Sequence, residues 1–405
     1  MPHTYYVDSR ALPGGSGLSA ESAACSWREL TILPGDSILF ARGSFFRDVL
    51  ELPEGTAEAP LYIGAYGEGE KPVFCGSVQL AQPEKWKEIR ENIWEYTDSL
   101  PSEPCNLIFE DGSCGILAWE EDDLVQSGQW HFTALASDQN FGLPADARLL
   151  MFSRGNPASV HSSIEAAVYG SRHMLSCRAH ATFEDLAFIN SGVHGYGETN
   201  PHDVVFRRCE FRYIGGKVWS RELRIRFGNA LECWNSGTDI LVENCLFDEI
   251  YDSCVTHQGP GKQAGLAVSI TYTGNTFRNY GMAAYEARDK VGVNVVFENN
   301  VCIGAGEGFS LQGETPPRRS EIWPQPMGHH LFIWRMPHDT ENGSITVRNN
   351  TFGSSPYGAA VYSIVSPEAE AQFVFEGNKY EKSEGLLVRW NGQNYLAEHQ
   401  DNPLR

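Results

Sequence analysis

Along the second half of the chain, apolar and polar positions alternate in short runs that return at a regular interval. Seven segments carry the pattern: EDLAFINSG (184–192), RRCEFRYIGG (207–216), ENCLFDEIYD (243–252), TGNTFRNYG (273–281), ENNVCIGAGEG (298–308), RNNTFGSSPYG (348–358) and EGNKYEKSEG (376–385). Each holds one anchor: Phe188, Phe211, Phe247, Phe277, Cys302, Phe352 or Tyr380. Two positions earlier stand Leu186, Cys209, Cys245, Asn275, Asn300, Asn350 and Asn378. The anchors are 23, 36, 30, 25, 50 and 28 residues apart.

A two-residue alternation rich in Val, Ile, Phe and Thr predicts strands. A repeat in the twenties is too short for helix pairs and is the mark of a solenoid. These features predict an all-β chain, a parallel β-helix with one coil per repeat and rungs about 4.8 Å apart. The anchors are expected to stack inside. The Asn are expected to stack in left-handed corners, hydrogen-bonding their equivalents above and below. A β-sandwich with coincidental Asn is the competing fold.

Departures from the period mark insertions. The spacing of 36 hides one near 215–228, and the spacing of 50 hides a divergent coil or a long loop near 314–342. Residues 81–150 lack the pattern and read as an inserted β-rich lobe. The chain therefore divides into a cap with first coils (1–80), the lobe (81–150) and the main β-helix (151–405).

Composition narrows the partners. The formal charge is −21 over 405 residues, which disfavours nucleic acid and anionic membrane surfaces. No apolar run approaches the ~18 residues of a membrane span. The ten Cys are scattered without a CxxC pair, so neither a disulfide framework nor a zinc site is expected. The first residues, MPHTYYVDSR, have no leader character, which predicts a cytoplasmic protein unless a leader has been removed.

The segments YYVDSR, SWRELTILPGDSILFARGSFFRDVLEL and APLYIGAYGEGEKPVFCGS are similar to the first coils of right-handed parallel β-helix proteins of the pectin-lyase-like superfamily. NPASVHSSIEAAV, SGVHGYG, RFGNALECWN and IYDSCVTHQG continue the likeness, which covers most of the chain. The resemblance implies the fold. For function it implies only a range, from polysaccharide lyases and glycoside hydrolases to esterases, epimerases and binders.

Strand alternation then selects a face. If Leu231, Val255, Tyr285 and Phe309 point inward, Glu232, Thr256, Glu286 and Ser310 form an outward column. Trp234, Gln258, Arg288 and Gln312 form a second. Glu232 and Glu286 are expected two coils apart, roughly 9.5 Å between backbones, and Asp252 at the edge of the coil between them. These three are the candidate catalytic carboxylates. Trp234, His257, Gln258, Arg288, His194, Arg224, Gln312 and Trp323 are candidate sugar contacts, with a core placement the plainer expectation for His257. Glu243, Asp248 and Glu249 fall on other faces and are expected to be solvated. Lys217, Arg221, Arg224 and Arg226 in one insertion, and Arg318 and Arg319 in the other, either overhang the cleft or pair with the acidic excess. His329, His330, Trp323 and Trp334 are read as part of a lid.

The first functional expectation is a glycoside hydrolase acting on an oligosaccharide or polysaccharide, without cofactor or metal. A lyase or epimerase acting on uronates is the alternative; calcium would then bridge the substrate carboxylate. A non-catalytic glycan-binding solenoid is the third.

Overall fold

The computed structural model describes residues 1–134, 146–168, 173–311, 327–336, 342–381 and 386–405. Three long sheets run the length of the molecule. The first has ten strands, from Thr4–Val7 to Phe373–Glu376. The second has nine, from Phe45–Phe46 to Lys379–Tyr380. The third has ten, from Leu50–Glu51 to the antiparallel hairpin Leu387–Trp390 and Gln393–Leu396. Apart from that hairpin the three sheets are parallel, and from Ser37–Ala41 onward each coil contributes one strand to each sheet. The chain is a parallel β-helix.

The anchors stack as the spacing predicts. Phe74, Phe188, Phe211, Phe247 and Phe277 are successive register partners, followed by Cys302, Phe352 and Tyr380. Neighbouring phenyl rings lie 4.9–5.4 Å apart, nearly parallel, on the solenoid axis. Trp27 closes the first end, edge-on to Phe40, Phe46 and Phe74.

The asparagines form a ladder, but not in the expected conformation. Asn275 N donates to Asn300 Oδ1 at 2.8 Å, Asn300 N to Asn350 Oδ1 at 2.9 Å, and Asn350 N to Asn378 Oδ1 at 3.1 Å. These side chains are buried inside the corner, and their Nδ2 groups also donate to the carbonyls of Val242, Tyr272, Phe297 and Val347. The positive φ falls one residue earlier, at Asp185, Arg208, Asn244, Gly274, Asn299, Asn349 and Gly377. A left-handed residue turns the chain, and the next side chain is thereby delivered into the interior, where it meets its equivalent on the next rung.

The two insertions differ in kind. Residues 217–227 form a two-stranded hairpin. The spacing of 50 is one expanded coil, because His329–Trp334 is simply the next strand of the third sheet. Its histidines are therefore structural rather than parts of a lid. His329 Nδ1 bonds Ala359 O at 2.7 Å, and His330 bonds Tyr280 and Gly353 O.

The lobe leaves after the second-sheet strand Val73–Cys75 and returns at His173–Ser176 of the third. It contains a five-stranded sheet with its own apolar core around Trp86, Trp130, Phe132 and Leu149. Lys217 and Arg226 dock it to the solenoid. Lys217 Nζ lies 3.0 Å from Glu103, both fully buried. Arg226 donates to Gly216 O and Cys105 O and stacks on Tyr251. Neither basic side chain overhangs a cleft. All ten cysteines are free, and among the described residues no helix is long and apolar enough to cross a membrane.

Candidate active site

The third sheet carries the expected column. Gly197 pairs with Glu232, Glu232 with Thr256, and Thr256 with Glu286. Leu231, Val255 and Tyr285 are in the core, so this column faces outward. Glu232 and Glu286 thus stand on one wall, two rungs apart. The column does not continue to Ser310, which lies in a short 3-10 turn (Gly308–Leu311) and bonds Glu307 O. Phe332 takes that place and Tyr362 follows it. Beyond Glu286 the wall is therefore apolar, and Met282, Met327, Phe332, Trp334 and Tyr362 cluster there.

Each carboxylate is held by named donors. Asn229 Nδ2 donates to Glu232 Oε2 at 2.5 Å, and Gln258 Nε2 donates to the same oxygen. His194 Nδ1 lies 3.7 Å from it and accepts from Asn229 N at 3.1 Å. Glu286 accepts from Ser253 Oγ at 2.9 Å and from Trp334 Nε1 at 2.6 Å. Asn229 also accepts from Ser253 N at 3.0 Å, so the two acids are joined through Asn229 and Ser253.

Glu286 is 1% exposed. Burial pushes its carboxyl up to about 7; nearby Arg288 opposes the shift and the negative Asp252 adds to it, while the Trp334 and Ser253 hydrogen bonds favour the charged form. Asp252 occupies the corner before Ser253–Gln258, where its carbonyl accepts from Met282 N at 3.0 Å.

The second column is also present. Trp234 pairs with Gln258, and Arg288 with Trp334. The Arg288 guanidinium lies 5.9 Å from the Trp234 ring and 5.2 Å from the Trp334 ring. Its Nε donates to Asp289 Oδ2 at 3.2 Å. Gly197 lets His173 and His194 pack closely over the wall beside Glu232: a Cβ there would sit 2.6 Å from His173 Nδ1 and 3.3 Å from His194 Cβ. An open cavity of about 370 Å³ begins one rung earlier, lined by Glu54, Ser176, Arg178, Glu198, Thr199 and Asn200. Thr199 is the register partner of Trp234.

Not every expected contact belongs here. His257 points inward and is hydrogen-bonded to Tyr285 OH at 2.9 Å; burial lowers it to about 4. It is a core residue, because its strand position is odd relative to Thr256 and Gln258. Arg224 is exposed at the tip of the 217–227 hairpin with φ of 51°. Gln312, Trp323, Arg318 and Arg319 lie outside the described residues. Asp248 and Glu249, expected in solvent, are engaged instead. Asp248 pairs with Arg278 at 2.7 Å, and Glu249 accepts from Phe309 N at 2.8 Å. Burial pushes Glu249 up to about 7.

Residues missed from sequence are Asn229, Ser253 and Asp289, together with the true place of Trp334. Asn229 and Ser253 each stand three positions before an outward column residue, a spacing that the corner geometry explains. Among the described residues no three His, Cys, Asp or Glu side chains gather as a metal site.

No protein-family model matches the chain. No curated protein matches it in sequence. Among solved structures it is similar to XylC, solved in complex with xylose, at 10% identity and a TM-score of 0.51, covering 95% of this chain and 71% of the other. A protein named as a glycoside hydrolase gives 10% identity and 0.48, with 93% and 96% covered. The GH136 lacto-N-biosidase of Eubacterium ramulus gives 13% and 0.34, with 93% and 67% covered. The chain has a right-handed parallel β-helix fold. At these identities the likeness concerns the fold, and function has to come from the site.

Proposed function

We propose that the protein is a carbohydrate-active enzyme, and specifically a glycoside hydrolase with Glu286 as general acid and Glu232 as its partner carboxylate. One observation carries the reading: two outward carboxylates on one wall, of which one is buried and shifted to about 7. An acid of that strength is still substantially protonated near neutrality and can protonate the departing glycosidic oxygen. Glu232 uses Oε2 for both Asn229 and Gln258, leaving Oε1 to take a proton from the attacking water. The two-rung separation, roughly 9.5 Å between backbones, suits the wider carboxylate pair that leaves room for that water. The adjacent Asp252 helps keep Glu286 protonated. Trp234, which is half-buried, offers a face for a sugar ring. The similar fold of a protein solved with xylose agrees with a sugar ligand.

The lyase alternative needs a base on the same face. His257 is turned into the core, and Arg288 is engaged by Asp289.

The test is product chemistry on a panel of oligosaccharides. Hydrolysis releases reducing ends without new ultraviolet absorbance. Glu286→Gln and Glu232→Gln should each lower turnover by about 10²–10⁴-fold with the fold intact. An unsaturated product, or full turnover in both variants, would reject the assignment.

A further inference from the structure

Three buried polar atoms on this wall have no partner. They are Thr256 Oγ1, Gln258 Oε1 and Asp289 Oδ1. Thr256 is fully buried between the two glutamates, and Asp289 is 1% exposed beside Arg288. Buried polar atoms are almost always bonded, so a group of three on one wall marks the place of an occupant.

Their chemistry specifies that occupant. Gln258 must turn its Nε2 toward Glu232, because a carboxylate accepts and does not donate; the amide oxygen is thereby left over. Asp289 uses Oδ2 for Gly259 N at 3.0 Å and Arg288 Nε, leaving Oδ1. Two of the three unpaired atoms can only accept. Glu232 Oε1 adds a third acceptor. Only Thr256 Oγ1 can do either. Of the cations near this wall among the described residues, Arg288 has its charge met by Asp289 at 3.2 Å, while Arg335 lies over the Trp334 ring and Arg389 over the Tyr362 ring, both beyond Glu286. A ligand filling this wall has to donate hydrogen bonds.

Resting on the glycosidase reading, we infer that the innermost subsite takes a neutral sugar whose hydroxyls donate to Gln258, Asp289 and Glu232, and that it rejects uronates. A sugar carboxylate placed against Gln258, Asp289 and Glu232 would face acceptor oxygens and negative charge, a loss of several-fold to many-fold in affinity from like-charge contact alone. Thr256 Oγ1, lying midway between the acids, bonds either a ring hydroxyl or the reacting water.

The experiment is calorimetric titration of Glu286→Gln, which still binds, with matched oligosaccharides differing only in a neutral or a uronate terminal sugar. The neutral member should bind at least about tenfold more tightly. Thr256→Val, which keeps the shape, should weaken it by about tenfold. Asp289→Asn exposes an amide that can rotate to donate, and should narrow the neutral-over-uronate ratio. Tighter binding of the uronate, or unchanged neutral affinity in Thr256→Val, would overturn the inference while leaving a glycosidase in place. Binding of neither ligand would overturn both this inference and the functional reading beneath it.

Discussion

At the residue scale, the site depends on what one side chain leaves room for. Gly197 occupies a column position where any Cβ would collide with His173 and press on His194, the neighbour of Glu232. Gly197→Ala should therefore lower kcat/KM by about 10–100-fold, a cost typical of small misplacement at a reacting centre. Steady-state kinetics beside a thermal melt separates this from unfolding, and an unchanged kcat/KM would show that His194 has no influence on Glu232. The two-residue alternation of strands was enough to put Glu232, Thr256 and Glu286 in line, because register partners differ by whole coils. It could not reveal Trp334 as a partner of Glu286, because an expanded coil hides the repeat between Cys302 and Phe352. It also placed Ser310 in the column, since counting forward from Cys302 assumes a turn of ordinary length there.

At the scale of the element, the corner is the repeating device. Asn299 is exposed with φ of 55°, while Asn300 is buried and makes four side-chain hydrogen bonds. The two adjacent asparagines should thus respond differently. Asn300→Ala leaves buried donors and acceptors unpaired and should cost about 2–3 kcal/mol. Asn299→Gly keeps the left-handed turn available and should change stability by less than about 1 kcal/mol. Chemical denaturation of the two variants checks this, and equal losses would contradict the separation of turning residue from ladder residue. Sequence showed the pair as an Asn-Asn signature in ENN and RNN but not which member turned. Positive φ tolerance favours either, and only burial distinguishes them.

At the scale of the whole molecule, opposing titrations shape stability. His257, His329 and His330 are lowered by burial to about 4. Between the ordinary histidine value of 6.5 and about 4, the unfolded chain binds protons that the native chain refuses, so stability falls as pH falls through that window. Glu286 and Glu249 are raised to about 7. Between 4.5 and about 7 the native chain keeps protons that the unfolded chain has lost, so their contribution falls as pH rises. Denaturant midpoints across pH 4–9 should give a maximum between these limbs, and His257→Gln should make the acid limb shallower. An unaltered acid limb in that variant would show that His257 does not titrate as described. The overall architecture was legible because every coil repeats the same anchors. The lobe docking through Lys217 and Arg226 was not, since burial of an ion pair against a separate insertion has no period.

The central claim is that Glu286 donates a proton to the leaving group. The most direct measurement compares Glu286→Gln with the parent enzyme on two aryl glycosides of the same sugar, one with an acidic phenol as leaving group and one with a poorly acidic one. The account predicts a loss of about 10²–10⁴-fold for the poor leaving group and a much smaller loss for the good one. Equal losses on both substrates would contradict it.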